Sequence, residues 1–174
     1  MELIESFSVD HTAIVPGIFV SRKDRVGNGA VTTYDIRVRR PNVEPAIDTA
    51  AMHSLEHLIA TTLRNDPGMK DDVVYWGPMG CLTGFYLILK GERTPRDIFR
   101  LVLGAFESVA DAAEVPGTAP ENCGNYLLHD LDGAKRCASE FAAYLRAHAE
   151  DPAIFEYPKA DRPVTGDGKN FYDS

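Results

Sequence analysis

The chain of 174 residues carries three cysteines, one tryptophan and no apolar run near the roughly 18 residues that a membrane-spanning helix needs. Each shortage excludes something. Cys81, Cys123 and Cys137 are odd in number and far apart, so no disulfide framework holds the fold; in a reducing compartment such cysteines serve metal binding or catalysis. Basic residues are few, 18 against 26 acidic ones, and the formal charge of −8 disfavours nucleic acid or an anionic membrane as partner. Met1-Glu2-Leu3-Ile4-Glu5-Ser6 lacks a basic start leading into an apolar stretch, so we expect no secretory signal and a cytoplasmic location. No internal repeat is visible. Against these absences stand 44% hydrophobic and 25% charged residues, the balance of an ordinary globular domain with a real core.

Three segments read as helices. The first covers 45–64, with Asp48 as cap and Asn65-Asp66-Pro67-Gly68 as stop. The second opens on Thr94-Pro95-Arg96-Asp97, a capping box with proline at the first helical position, and runs to Pro116-Gly117. The third covers 132–150 and is closed by Pro152. Segments 17–25 and 30–39 flank Gly27-Asn28-Gly29 and read as a hairpin, and 82–90 as a further strand. In the second hairpin arm Tyr34, Ile36 and Val38 alternate with Asp35, Arg37 and Arg39, one face apolar and the other charged. Antiparallel strands followed by helices predict a two-layer α+β fold, an antiparallel sheet with helices on one face. Residues 1–150 form a single catalytic domain in this reading, and 151–174, poor in aliphatics and rich in proline and glycine, an extended or partly mobile tail.

The most informative residues are His53-Ser54-Leu55-Glu56-His57. Four positions along a helix bring two side chains to within about 40° around the axis and about one turn along it. The two imidazoles can therefore converge on one ion, with Ala60 leaving room on the same face and Glu56 next to His53. The apolar arc of Met52, Leu55, Ile59 and Leu63 lies to the other side. Two ligands are not a site, and the third has several candidates: Cys123, Cys81, His11, His129 or Glu140. Cys123 sits in the polar, turn-like Glu121-Asn122-Cys123-Gly124-Asn125, where a thiolate is usable as a ligand. Two imidazoles, one thiolate and an open position suit catalytic zinc or iron(II). Cys81, between Gly80 and Gly84, is placed to shuttle protons if a nearby cation lowers its pKa. Cys137 reads as packing, and His129 and His148 have no evident role.

Taken together, these stretches resemble the S-ribosylhomocysteine lyase (LuxS) family. The matching pieces are Glu5-Ser6-Phe7 with Asp10-His11; Asp35-Ile36-Arg37 with Pro41-Asn42; His53 to Leu58; Pro78-Met79-Gly80-Cys81 with Thr83-Gly84; Cys123-Gly124; and His129-Asp130-Leu131 with Gly133-Ala134-Lys135-Arg136. They occur in the family's order. The resemblance implies that His53, His57 and Cys123 hold one divalent metal per subunit, typically iron(II), with zinc or cobalt as substitutes. It implies Cys81 and Glu56 as acid–base pair, and Ser6, His11 and Arg37 as substrate contacts reaching the pocket from the other subunit of a homodimer. The implied reaction cleaves S-ribosylhomocysteine to homocysteine and 4,5-dihydroxy-2,3-pentanedione, the autoinducer-2 precursor of quorum sensing, within the activated methyl cycle. Two features depart from the family pattern: Tyr75-Trp76-Gly77, where an acidic residue and a smaller approach are expected, and the tail after Asp151.

Two rival readings remain at this stage. H-x-x-E-H is also the inverzincin signature, which would make this a zinc peptidase with Glu140 as third ligand and give Cys81 and Cys123 no task. A non-catalytic metal-binding module would want four protein ligands and no spare acid–base residues.

Overall fold

The computed structural model describes residues 9–158. Strands β1 (Gly17–Val26), β2 (Gly29–Arg37), β3 (Val73–Pro78) and β4 (Gly84–Lys90) form one antiparallel sheet in the order β1-β2-β4-β3. Helices α1 (Thr49–Asn65), α2 (Pro95–Ser108) and α3 (Leu131–Ala147) pack on one another and against one face of that sheet. This is the two-layer α+β arrangement the strand and helix order predicts. The hairpin and its turn lie where Gly27-Asn28-Gly29 places them, with Gly27 in the left-handed region at φ 59°.

The core lies between the layers. Tyr34 and Ile36 of β2, Phe85, Leu87 and Leu89 of β4, Leu55 and Ile59 of α1, Phe106 of α2 and Phe141 of α3 all bury there. Each strand contributes alternate residues, as a pleated sheet with one covered face requires. β3 obeys the rule only through a bulge between Val73 and Tyr75, which restores Trp76 to the inner face. Trp76 then stacks on Phe85 with centroids 4.6 Å apart and belongs to the core, while Tyr75 is exposed.

Several boundaries differ from the sequence reading, each for a physical reason. The first helix begins at Thr49 instead of 45, because the Asp48 carboxylate accepts from the amides of Ala50 and Ala51 at 2.9 and 3.3 Å. The last strand begins at Gly84 instead of 82: Leu82 stands at φ 58°, inside a turn closed by the Leu82 amide on the Met79 carbonyl. β2 ends at Arg37 because Val38 and Arg39 both donate to the Thr83 carbonyl. The Thr94–Asp97 capping box is present, but α2 stops at Ser108 and tightens into a 3₁₀ turn, Val109–Asp111, short of Pro116. The charged side of β2 is not solvated: Asp35 and Arg37 are both 3% exposed. Of the tail expected from 151, residues 152–158 lie against the sheet and α2, with Ile154 and Phe155 buried, and residues 159–174 are outside the described part.

Candidate metal centre and thiol site

The α1 register brings His53 and His57 to one face, as their spacing requires, with ring planes at 87° and centroids 4.8 Å apart. Each ring is fixed by its far nitrogen. His53 Nδ1 lies 2.8 Å from the Leu128 carbonyl, and His57 Nδ1 lies 2.8 Å from the Pro116 carbonyl. A carbonyl can only accept, so both Nδ1 atoms carry the proton and both Nε2 atoms present a lone pair. That is the orientation a metal-binding imidazole takes. The short α2 has its reason here, since the stretch after it must return Pro116 to His57. Gly117, at φ 72°, makes that turn.

The loop before α3 supplies the sulfur. Cys123 Sγ lies 3.4 Å from His53 Nε2 and accepts from the Asn125 amide at 3.4 Å. Tetrahedral ligation at zinc-like bond lengths separates a sulfur and a nitrogen ligand by about 3.5 Å, so this spacing fits an ion held between them. The ligand atoms of His53, His57, Cys123 and His129 all lie within 4.8 Å of one another.

His129 was one of several candidate ligands in the sequence reading, and the structure places it in this group. Ser54 Oγ donates to the Ala50 carbonyl at 2.9 Å and accepts from the Asp130 amide, so toward His129 Nδ1, 3.4 Å away, it has only lone pairs to offer. The His129 proton is therefore on Nδ1, and its Nε2 is buried without a hydrogen-bond partner. That nitrogen stands beside two imidazole lone pairs and a thiol, a group that could hold a cation. Burial, together with the neighbouring His53 and His57, holds the His129 pKa below the ordinary imidazole value. Its ring is stacked on His53 at 4.1 Å with planes inclined by only 22°. Lone pairs lie in the ring planes, and planes so nearly parallel meet far beyond a coordination distance of about 2 Å. The structure thus brings His53, His57 and Cys123 together as their spacing and loop suggest, with His129 as a fourth member of the group, stacked over His53.

Glu56 lies half-buried on α1 and is not among the ligand atoms. Glu140 is exposed on α3 and pairs with Arg39 at 2.7 Å, so it supplies no third ligand, and the peptidase reading loses its geometry. Cys137 is buried in the core, and burial pushes its thiol up to about 11. It packs, as expected.

Cys81 belongs to a second cluster, on the sheet face away from the helices. Asp35 and Arg37 alternate with the core residues Tyr34 and Ile36 and therefore point to that face. Arg37 Nη2 donates to Asp35 Oδ2 at 2.5 Å, and Arg37 Nη1 donates to Thr83 Oγ1 at 2.6 Å and reaches Cys81 Sγ at 3.7 Å. Because Thr83 Oγ1 accepts from Arg37, its own proton is free for Cys81 Sγ at 3.1 Å. Partial burial raises the Cys81 thiol pKa, but the Thr83 hydrogen bonds and the Arg37 charge outweigh it, and the net shift is downward. The cation beside this thiol is thus a guanidinium. Burial pushes the Asp35 carboxyl up, opposed by Arg37 and by Tyr157, and at longer range by His11. Ser6 lies outside the described residues.

With this geometry in hand, likeness to known proteins can be weighed. The S-ribosylhomocysteinase (LuxS) family matches residues 4–151. The chain belongs to that family. It is 50% identical over 159 residues to the S-ribosylhomocysteine lyase of Phocaeicola vulgatus, covering 91% of this chain and 98% of the relative. To the S-ribosylhomocysteine lyase of Porphyromonas gingivalis it is 49% identical over 142 residues, 81% of this chain and 89% of the relative. The lyase of Clostridium acetobutylicum is 48% identical over 152 residues, 87% and 96% respectively. Nothing in these likenesses favours a peptidase or a non-catalytic metal module.

Proposed function

We propose that this chain is an S-ribosylhomocysteine lyase, cleaving S-ribosyl-L-homocysteine to L-homocysteine and 4,5-dihydroxy-2,3-pentanedione. The observation that carries the reading is the converging set His53, His57 and Cys123, within a chain whose family match spans residues 4–151. These three residues would hold the divalent ion, iron(II) in our reading, with zinc or cobalt as substitutes. When bound, such an ion polarises substrate oxygens as a Lewis acid, worth several kcal/mol to a developing enolate.

The rest falls to side chains. The open-chain aldose must move its carbonyl along the sugar by two isomerisations, and the thiol then leaves by β-elimination, so no electrons are gained or lost overall. Each isomerisation takes a proton from one carbon and returns it to the next. A thiol acidified by Arg37 and Thr83 suits that shuttle, and we assign it to Cys81. Glu56, one residue before His57 on α1, is assigned the relay of protons among the oxygens and at the elimination. Ser6, His11 and Arg37 are the substrate contacts in this reading.

The same reading requires two copies of the chain. Cys81 is bound to Arg37 through Thr83 on the outer sheet face, whereas the metal set sits in the helix layer. If Arg37 reaches the pocket of a partner subunit, Cys81 travels with it. We propose a homodimer in which the thiol of one protomer faces the ion of the other, acting in the cytoplasm.

The test is release of free thiol from S-ribosylhomocysteine by protein loaded anaerobically with iron(II). Turnover by the wild-type chain and loss of turnover with retained metal in Glu56→Gln are expected. No thiol release by the loaded wild type would overturn the function, and full activity of Glu56→Gln would remove Glu56 from it.

A further inference from the structure

Tyr157 lies beyond residue 151, where the family match ends, yet it is joined to the Cys81 cluster. The segment that carries it is anchored. Ile154 and Phe155 are buried, and the Arg96 guanidinium sits 4.3 Å over the Phe155 ring. Gly17 lets the backbone approach so closely that a Cβ there would lie 2.4 Å from the Ile154 carbonyl oxygen. This anchoring delivers Tyr157 to the outer sheet face, where its ring stacks on Phe19 at 4.7 Å and 11°. Its Oη donates to Asp35 Oδ2 at 2.8 Å, the same oxygen that receives Arg37 Nη2.

We infer that Tyr157 is a positioning residue for Cys81: through Asp35 Oδ2 it holds the Arg37 guanidinium with Nη1 turned to Thr83 and the Cys81 sulfur. The inference rests on the reading of Cys81 as the proton shuttle. A carboxylate oxygen shared between a phenol and a guanidinium spends part of its charge on the phenol. Less of it then neutralises Arg37, and more of the guanidinium field is left for the thiolate. The other Asp35 oxygen, Oδ1, is buried with no hydrogen-bond partner among the described residues, so without the phenol the hydrogen bonding of Asp35 would fall to Arg37. Among the described residues Tyr86 of β4, paired with Asp35 across the strands, and His11 ahead of β1 also share this field.

The test uses the full-length, metal-loaded protein without substrate. Carbamidomethylation of Cys81 by iodoacetamide is followed by peptide mass spectrometry across pH, with buried Cys137 as internal control. Tyr157→Phe keeps the ring on Phe19 and removes only the donor. Its alkylation midpoint should rise by about half a pH unit, leaving about threefold less thiolate below the midpoint. Turnover should fall by at least the same factor, and because Arg37 is also a substrate contact in the reading above, the alkylation midpoint and not KM is the deciding readout. Site-specific 3-fluorotyrosine at 157, a stronger donor of nearly the same shape, should move the midpoint down, and it reads the same quantity if Tyr157→Phe folds poorly. A midpoint unmoved in both variants, with or without a lower Tm, would overturn the inference. Because no substrate is present, the alkylation result stands whether or not the lyase assay succeeds.

Discussion

In the group formed by His53, His57, Cys123 and His129, the outward ring nitrogens give their protons to backbone or hydroxyl oxygens and the inward ones present lone pairs. On the outer face of the sheet the neighbours of Cys81 are Thr83 and Arg37, the guanidinium locked to Asp35 at 2.5 Å. One cluster is a set of acceptors shaped for a positive charge to arrive. The other is a set of donors shaped to keep a negative charge on sulfur. The first should respond to metal and the second to pH, and substitutions can pull the two responses apart.

The largest effect separates two cysteines. Cys123→Ala should strip the bound metal and lower homocysteine release by about a thousandfold or more, since it removes a ligand of the Lewis acid. Cys81→Ala should keep one metal per chain while turnover falls by about 10²–10⁴, the usual range for a lost acid–base group. Metal content by mass spectrometry and thiol release by colorimetry, run on the same samples, check both. Metal retained in Cys123→Ala would break the assignment of the ligand set.

Next comes the ion pair. Arg37→Gln leaves the Asp35 carboxylate buried and without its cation, which costs about 3–5 kcal/mol when one partner of a buried pair is removed. The urea midpoint should fall accordingly while metal content stays. The same change should move the alkylation midpoint of Cys81 upward. In the wild type the folded thiol sits below its ordinary pKa, so thiolate forms at lower pH than in a free cysteine, and loss of the guanidinium reverses that. An unmoved Cys81 midpoint would show that Thr83 alone acidifies the sulfur.

How much of this was legible beforehand follows from which interactions are local. The His53–His57 convergence and the Thr94–Asp97 capping box are set by spacings of three or four residues and by one helical geometry, so both stand in the structure as read. The hairpin is local in the same way. His129 was only one of several candidate ligands and could not be singled out, because its tautomer is fixed by Ser54, some 75 residues earlier, and because the stack on His53 has no signature along the chain. Asp35 and Arg37 were placed on the right face of β2, but alternation says only which side a residue takes. That the side is covered depends on Phe19, Thr83 and Tyr157, which come from three other parts of the chain. The bulge at Val73/Tyr75 is the remaining case: a single extra residue turns Trp76 to the core, and no composition rule marks it.

The smallest predicted effect probes how tightly the first cluster is preset. Gly117 stands at φ 72°, and a Cβ built on it would come within 3.4 Å of His57 Nδ1, the nitrogen whose proton goes to the Pro116 carbonyl. Gly117→Ala asks an L-residue to take the left-handed region, which costs about 1–2 kcal/mol, and crowds the one bond that orients the His57 ring. If the turn relaxes away from the strain, Pro116 O moves off His57 and the imidazole is free to rotate. Metal affinity should then drop by about tenfold, the low end for a lost orienting partner, as measured by competition with a chelating dye. With metal kept at saturation the Cys81 alkylation midpoint should not move, because among the described residues the hydrogen bonds of Arg37 and Asp35 reach Thr83, Cys81 and Tyr157 and none reaches that turn. A shift there instead would mean that the two clusters are coupled, within a protomer or across the proposed dimer, and the division between cation-receiving and anion-holding halves would have to be redrawn.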